Sequence, residues 1–129
     1  MCIFCDIANG KIGSHSLYED ESVLVFFDVN PTSYGHCLVV PKEHCQSFLD
    51  CPEDIRNHVF EVAQKTARQL EEKLHCDGIN LLSNMHEAAG QSVEHFHVHL
   101  IPRYKNDQEI IRFHPIDAVD FEKLKETLK

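Results

Sequence analysis

The chain has 129 residues, of which 43% are hydrophobic, so it can bury the core of one domain. Its 12 basic and 21 acidic residues give a formal net charge of −9, which argues against binding to a nucleic-acid polymer, because that binding needs clustered Lys and Arg. No segment approaches the roughly 18 apolar residues of a membrane span, and no signal segment opens the chain. We expect a single domain over residues 1–129, located in the cytoplasm and away from the membrane, with its six cysteines reduced.

The first half of the chain predicts a short N-terminal element and then three strands. Residues 2–12 mix apolar and polar side chains, which suits a short helix or an irregular arm. The strands Ser16–Glu19 and Ser22–Phe27 are expected on either side of an acidic turn. An Asn-Pro step and a glycine mark residues 28–35 as a loop, and the β-branched strand His36–Val40 follows it.

The second half predicts one long helix, two further strands and a terminal helix. From Pro52 onward apolar residues recur at helical spacing, and the helix should end near residues 75–78. Strands are expected over Gly78–Ser83 and Glu94–Arg103, and a charged helix over residues 117–128. This order indicates an α+β fold with a single antiparallel sheet, one long helix and a C-terminal helix.

The most informative run is His95-Phe96-His97-Val98-His99. Side chains alternate between the two faces of a strand, so the three imidazoles would share one face while the apolar residues point into a core. Imidazole titrates nearest neutral pH and serves as nucleophile, general acid or base, and metal ligand. The alternatives are a solvated strand face and a single structural metal site, but three histidines in perfect alternation favour a functional site.

The same run carries a family resemblance. The pattern His-φ-His-φ-His-φ-φ, in which φ is an apolar residue, resembles the signature of the histidine triad (HIT) superfamily. The likeness also includes segments 2–7, 35–44, 84–93 and 101–104, so it covers most of residues 2–104 in the right order. The overall resemblance is to the bacterial, zinc-carrying branch. It implies the same α+β fold, binding of nucleotides and cleavage of bonds at the α-phosphate.

The resemblance assigns catalytic roles to five residues. It implies that His97 is the nucleophile, which requires a neutral ring with one nitrogen free and the other held by an acceptor. It implies that His99 contacts the phosphate or the leaving group, and that Ser92 reaches the bond to the leaving group with Gln91 near the phosphate. His36 aligns with an accessory histidine, and a purely structural, hydrogen-bonded role for it is equally open.

The resemblance also assigns nucleotide-binding residues. Asp28 would accept hydrogen bonds from both ribose hydroxyls, although an aspartate before Asn-Pro can simply initiate a turn. Asn84 is implied at the phosphate and ribose side, and Gly90 allows the backbone to approach an anion closely. The slot for the base is expected from four apolar residues, namely Phe4, Ile7, Ile12 and Val29. Such a slot discriminates poorly between purines.

A second constellation consists of Cys2, Cys5, His44 and His95. A Cys-x-x-Cys pair with two distant histidines suits tetrahedral zinc, and the resemblance supplies the two histidines. We expect one structural zinc ion per chain, with all four positions filled by protein and therefore no activated water. The rival interpretation is a redox Cys-x-x-Cys, which would normally sit in a strand-then-helix setting that is absent here.

Together these observations predict a nucleotide-binding hydrolase that acts on purine nucleoside phosphoramidates through a nucleotidyl-histidine intermediate. Two alternatives of the same fold are a dinucleoside polyphosphate hydrolase and a nucleotidyl transferase. A third alternative is a nucleotide-binding scaffold whose hydrolysis is incidental. The resemblance further implies a homodimer in which the helix from Pro52 and the strand from Gly78 pair across a two-fold axis.

Overall fold

A computed structural model describes residues 2–129 of the protein. It contains three α-helices and five strands. In chain order these are α1 (Ile3–Ala8), β1 (Ser16–Glu19), β2 (Val23–Phe27), β3 (Cys37–Pro41), α2 (Glu53–Leu74), β4 (Gly78–Leu82), β5 (Val98–Arg103) and α3 (Phe121–Thr127).

The five strands form one sheet in the order β1-β2-β3-β5-β4, and every neighbouring pair is antiparallel. The predicted α+β fold with a single antiparallel sheet is therefore confirmed. Central strands β2 and β3 are almost wholly buried, with Leu24 opposite Val40 and Phe26 opposite Leu38. Strand β4 lies at one edge, with β1 at the other.

Alternation along the strands gives the sheet two apolar faces. One face packs against α2, whose buried residues follow helical spacing (Val59, Val62, Ala63, Thr66 and Leu70). The opposite face packs against α1 through a smaller cluster (Phe4, Leu24, Phe26, Leu38 and Val40). Helix α2 begins with two acidic residues, which complement its dipole, and ends at His75 in the left-handed region with φ of 54°.

The triad strand is shorter than the sequence predicts. It was expected from Glu94, but β5 begins at Val98. Continued beyond Val39 and Val98, the register of β3 and β5 would place Val40 opposite His97 and then Pro41 opposite Phe96, and Pro41 has no N–H to continue the ladder. The Phe96 N–H donates to the Cys45 carbonyl instead, at 2.7 Å. His95 and His97 therefore lie in an irregular segment just before the regular strand.

The C-terminal segment, residues 105–129, is the least packed part of the described chain. Helix α3 spans Phe121–Thr127, within the predicted 117–128, and its N-cap Asp120 accepts a hydrogen bond from the Lys123 N–H. Large apolar side chains along this segment are exposed, among them Phe113 at 86% and Phe121 at 65%. Within residues 2–129, no helix has the length and apolar character needed to cross a membrane.

Candidate active site and metal centre

His97 lies at the centre of the triad with its tautomer fixed by the backbone. Its Nδ1–H donates to the His95 carbonyl at 2.7 Å, because a carbonyl oxygen can only accept. Nε2 consequently carries the lone pair. The ring is buried, with Phe4 edge-on at 4.9 Å between centroids, and burial lowers the pKa of His97 below its ordinary value. A neutral imidazole with one free nitrogen is the form that nucleophilic attack requires.

His99 belongs to a chain of hydrogen bonds that fixes two further tautomers. The Thr32 N–H donates to His36 Nδ1 at 3.0 Å, so His36 carries its proton on Nε2. That Nε2–H faces His99 Nδ1 at 3.0 Å, which leaves His99 with a proton on its own Nε2. The rings of His97 and His99 are 5.0 Å apart. The arrangement gives His97 a lone pair on Nε2 and gives the neighbouring His99 a proton on Nε2.

Burial makes these imidazoles hard to protonate. Loss of solvent is the largest cause of the shift at His99, where nearby His97 and His36 add to it and lower the pKa to about 4. The pKa of His36 is also lowered by burial, against an opposing attraction from Asp28. Both rings are therefore neutral near pH 7.

Asp28 occupies a turn and also approaches the histidines. Its Oδ1 accepts from the Asn30 N–H at 2.8 Å, which is the turn-initiating role that the sequence left open. Its Oδ2 lies 3.6 Å from His36 Nε2. A role of this carboxylate toward ribose stays a prediction.

The loop that precedes the triad is held by one amide side chain. Gln91 accepts from the His86 N–H at 2.8 Å and donates to the carbonyls of Gln46 and Val93 at 2.6 and 3.0 Å. Because both ends of its amide are bonded to backbone, Gln91 is placed to shape the loop. Ser92 next to it is exposed.

The remaining predicted nucleotide-binding residues fall into two groups. Asn84 and Gly90 lie together, since the Asn84 amide donates to the Gly90 carbonyl at 3.4 Å and Gly90 adopts a φ of 100°. Phe4 and Ile7 belong to the α1-side cluster, where Phe4 contacts the triad. Ile12 and Val29 are exposed, the latter at 76%.

Sequence reasoning missed three backbone or hydroxyl groups that hold the histidines. These are the Thr32 N–H, the Pro41 carbonyl, which accepts from His95 Nε2 at 2.8 Å, and the Ser83 hydroxyl, which donates to the His97 carbonyl at 2.8 Å. The backbone groups leave no mark in a sequence. Ser83 stands at the end of a predicted strand and gave no signal of its own.

Cys2, Cys5, His44 and His95 converge on one point, as the sequence predicts. Their ligand atoms all lie within 4.8 Å of one another. Nδ1 of His95 is 3.3 Å from Cys2 Sγ, 3.5 Å from Cys5 Sγ and 3.2 Å from His44 Nδ1. Zn–S bonds of about 2.3 Å and Zn–N bonds of about 2.0 Å in a tetrahedron place ligand atoms roughly 3.3 to 3.8 Å apart, so the four atoms fit a zinc ion.

The hydrogen bonds of this cluster support metal binding. His95 donates from Nε2 to the Pro41 carbonyl, and its Nδ1 lone pair therefore points at the cysteines. A second group of potential ligands, Asp28, His36 and His99, lies equally close together. There the Thr32 N–H occupies His36 Nδ1 and leaves a proton on Nε2, which opposes binding of a cation.

Comparison with known proteins agrees with the fold and the motif. The sequence profile of the HIT domain matches residues 9–106, and the chain belongs to this family. An uncharacterized HIT-like protein of Methanocaldococcus jannaschii is 43% identical over 129 residues, covering 100% of this chain and 99% of that protein. An adenosine 5'-monophosphoramidase of Saccharomyces cerevisiae is 34% identical over 123 residues, covering 95% of this chain and 75% of the yeast protein.

Solved structures give the same result. A crystal structure of a Streptococcus mutans protein superimposes with a TM-score of 0.89 and 41% identity, covering 98% of this chain and 80% of that one. A zinc-bound histidine triad protein of Mycobacterium smegmatis superimposes with a TM-score of 0.80 and 38% identity, covering 89% of this chain and 84% of that one.

Proposed function

We propose that this protein is a hydrolase that cleaves purine nucleoside phosphoramidates at the α-phosphate, with His97 as the covalent nucleophile. The observation that carries the proposal is the tautomer of His97, whose Nδ1–H is fixed on the His95 carbonyl while Nε2 keeps its lone pair. The yeast relative named as an adenosine monophosphoramidase supports the substrate class.

In the first step, the lone pair of His97 Nε2 attacks the α-phosphorus. The new N–P bond forms as the bond from phosphorus to the leaving amine breaks, and the amine takes a proton from solvent. His99 keeps the proton on Nε2 and donates it as a hydrogen bond to a phosphate oxygen, because its loss would leave an imidazolate anion. The nucleotidyl-His97 ring is then cationic, and the His95 carbonyl on its Nδ1–H stabilises that charge. Splitting one displacement into two steps lowers the barrier of each.

In the second step, water replaces His97 on phosphorus. The attacking water forms the new P–O bond and releases its proton to solvent, while the P–N bond returns its electrons to His97. Both histidines end in their starting forms, with His36 still holding His99 Nδ1. The nucleotide would lie with its phosphate near Ser92 and Gly90 and with Asp28 toward the ribose.

We further propose that Cys2, Cys5, His44 and His95 hold a zinc ion. All four tetrahedral positions would come from protein, so the ion would tie α1 to the triad segment and would supply structural stability. The zinc-bound mycobacterial relative supports the identity of the metal. None of the six cysteines forms a disulfide within residues 2–129, which supports the proposal of a cytoplasmic location.

The protein is also proposed to be a homodimer. Strand β4 is an edge strand whose Leu81 is 52% exposed, and the C-terminal segment presents further apolar side chains to solvent. Exposed edges and apolar patches of this kind are usual features of interfaces.

Rapid quenching with excess adenosine 5'-phosphoramidate tests the chemistry directly. A nucleotidyl adduct that is stable in base and labile in acid should map to the peptide containing His97. His97→Ala should lose both the adduct and turnover, while His114→Ala in the exposed tail serves as a matched control. An adduct on His99 or Ser92, or full activity of His97→Ala, would contradict the assignment. Adding inorganic phosphate and finding nucleoside diphosphate would identify a transferase.

A further inference from the structure

His95 belongs to the metal cluster through its side chain and to the active site through its backbone. Its Nδ1 lies 3.3 Å from Cys2 Sγ and 3.2 Å from His44 Nδ1. Its carbonyl oxygen accepts the Nδ1–H of His97 at 2.7 Å, and this bond leaves the lone pair of His97 on Nε2. The position of the His95 backbone therefore decides how the ring of the proposed nucleophile is oriented.

The ring of His95 has a strong hydrogen bond at one nitrogen only. It is fully buried, and its Nε2–H donates to the Pro41 carbonyl at 2.8 Å. Its Nδ1 carries a lone pair and faces two thiols and the His44 ring. A thiol is a weak hydrogen-bond donor, whereas a bond from Nδ1 to a zinc ion is strong and directional. A metal ion in the cluster would therefore fix this ring, and with it the backbone of His95.

A short stretch of backbone joins a second ligand, His44, to the active site. The carbonyl of the next residue, Cys45, accepts from the Phe96 N–H of the triad segment at 2.7 Å. The carbonyl of Gln46 accepts from the amide of Gln91 at 2.6 Å, and Gln91 shapes the loop before the triad. Binding of His44 to an ion would therefore hold both the triad segment and its loop in place beside the cluster.

Helix α1 supplies the third connection. Its aromatic residue Phe4 lies between Cys2 and Cys5 in the sequence and is buried. The Phe4 ring stands edge-on to the ring of His97, with 4.9 Å between the centroids. An ion bound by both cysteines would keep α1 in place and so hold Phe4 against His97. All four ligands of the cluster thus restrain groups that contact His97 or its neighbours.

We propose that the metal cluster positions His97 for attack, in addition to stabilising the fold. Closure of the four ligands on one ion would fix the His95 carbonyl and the Phe4 ring, so that Nε2 of His97 keeps a single orientation. His95 is then a positioning residue, and the ion takes no part in the bonds that change. This role rests on the proposed function, because it requires His97 to be the nucleophile. Attack is sensitive to such placement, since a displacement of about 1 Å can cost about 100-fold in rate.

The ring nitrogens of His97 report this role without any substrate. Full-length ¹⁵N-labelled protein loaded with about one Zn²⁺ per chain should show His97 as a single tautomer, with its proton on Nδ1, in long-range ¹H–¹⁵N spectra. Removal of the ion with a chelator should shift both nitrogens toward the values of a ring that exchanges tautomers, and added Zn²⁺ should restore the first spectrum. Unchanged nitrogens in a folded metal-free chain would overturn the proposal. Complete loss of the fold, measured by circular dichroism, would also overturn it, because the ion would then hold the whole domain.

Single-turnover kinetics with adenosine 5'-phosphoramidate separates positioning from stability. His44→Ala removes an exposed ligand and should slow formation of the His97 adduct about 10- to 100-fold. His44→Cys again provides four ligands and should restore most of the rate. Val62→Ala is the control for lowered stability alone, because it opens a void in the α2-side core outside the cluster.

A purely structural metal site would give a different pattern. Loss of stability lowers the fraction of folded protein, and hence the amount of adduct, while the rate of the folded molecules stays the same. Equal rates in His44→Ala and the unmodified chain, or equal slowing in Val62→Ala, would therefore overturn the proposal. An adduct on another residue would contradict the proposed function and this role together, whereas a His97 adduct formed at the same rate without zinc would contradict this role alone.

Discussion

His36 donates from Nε2 to Nδ1 of His99 across 3.0 Å, and this contact decides which nitrogen of His99 carries a proton. The Thr32 N–H sets the direction of these hydrogen bonds, because it donates to His36 Nδ1 and leaves the proton of His36 on Nε2. In the proposed mechanism, His36 is therefore a positioning residue that acts on substrate through His99. The sequence left open whether His36 is an accessory catalytic histidine or a purely structural one. In the proposed mechanism it is structural in its own contacts and affects catalysis only through His99.

Removing His36 tests that role. His36→Ala frees the Nδ1 of His99, so the ring can adopt the other tautomer and lose its proton donor. We expect kcat to fall about 10- to 100-fold, as for other supporting partners of a functional histidine, with little change in KM. Steady-state kinetics measures both constants. His15→Ala, an exposed histidine outside the site, is the control, and a change confined to KM would contradict the prediction.

The low pKa of His99 predicts how stability depends on pH. Burial lowers the pKa of His99 to about 4. Between this value and about pH 6.5, His99 is therefore neutral in the folded state and protonated in the unfolded state. The unfolded state then binds more protons, and this contribution to stability falls as pH drops from about 6.5 toward about 4. Below both values the loss is complete.

Imidazole NMR measures the titration, and denaturant unfolding at several pH values measures its consequence. His99→Gln should reduce the pH dependence of unfolding between pH 4 and 6.5, because no group at that position can then take up a proton. The other buried histidines with a lowered pKa, His36 and His97, keep their contributions. A His99 resonance that titrates at its ordinary pKa would refute both expectations.

Much of the fold followed from periodicity. The apolar alternation of Phe96, Val98 and Leu100 predicted which way the triad segment faces, and all three residues are buried on the α2 side. Helical spacing from Pro52 likewise predicted α2, which begins one residue later at Glu53. These patterns are local, so the sequence carries them directly.

The errors have non-local causes. Strand β5 begins at Val98, opposite Val39, because the ladder does not continue to Phe96, whose place opposite Pro41 lies more than fifty residues away in the chain. The bonds of Gln91 to the Gln46 and Val93 carbonyls likewise depend on how two loops meet. The metal cluster was predictable because Cys-x-x-Cys is a local motif, whereas its two histidines required the family resemblance.

Asp20 connects the turn after β1 to helix α2 through side-chain hydrogen bonds, which together we call the Asp20 clip. Its Oδ2 accepts from His58 Nε2 at 2.7 Å and from the Tyr18 hydroxyl at 2.8 Å, and its Oδ1 accepts from two backbone N–H groups. Burial alone would raise the pKa of Asp20, but these hydrogen bonds, led by His58, hold it well below the ordinary value of 3.8.

Asp20→Asn should destabilise the protein by about 1–2 kcal/mol, a value reduced from that of a buried pair because both side chains are partly exposed. The contribution of the carboxylate is present above about pH 4 and is lost as pH falls through its folded pKa. Urea unfolding at pH 7 measures the difference. Glu21→Gln in the same turn is the control, and equal stabilities of the two variants would show that the clip contributes nothing.

The proposed zinc site predicts a link between metal content and stability. Cys5→Ala removes one of four ligands, so zinc should fall from about one per chain to a small fraction, and the melting temperature should drop by several degrees. Elemental analysis and calorimetry measure the two effects. Cys76→Ala removes a buried thiol outside the cluster and should keep its zinc. Zinc-free wild-type protein, purified without chelators, would exclude the site.

The exposed C-terminal segment predicts self-association. An isolated helix as short as α3 is marginal in water, so its apolar residues Phe121 and Leu124 are expected to find a partner surface, which we assign to a second copy of the chain. Light scattering at micromolar concentration should give the mass of a dimer. Phe121→Glu should weaken that dimer, since it places a charge where an apolar contact is expected. Glu126→Lys, a charge change at an exposed position of the same helix, should leave the dimer intact. A monomer mass for the unmodified chain would contradict the assignment, and a dimer that resists Phe121→Glu would place Phe121 outside the interface, as expected for one formed by α2 and β4.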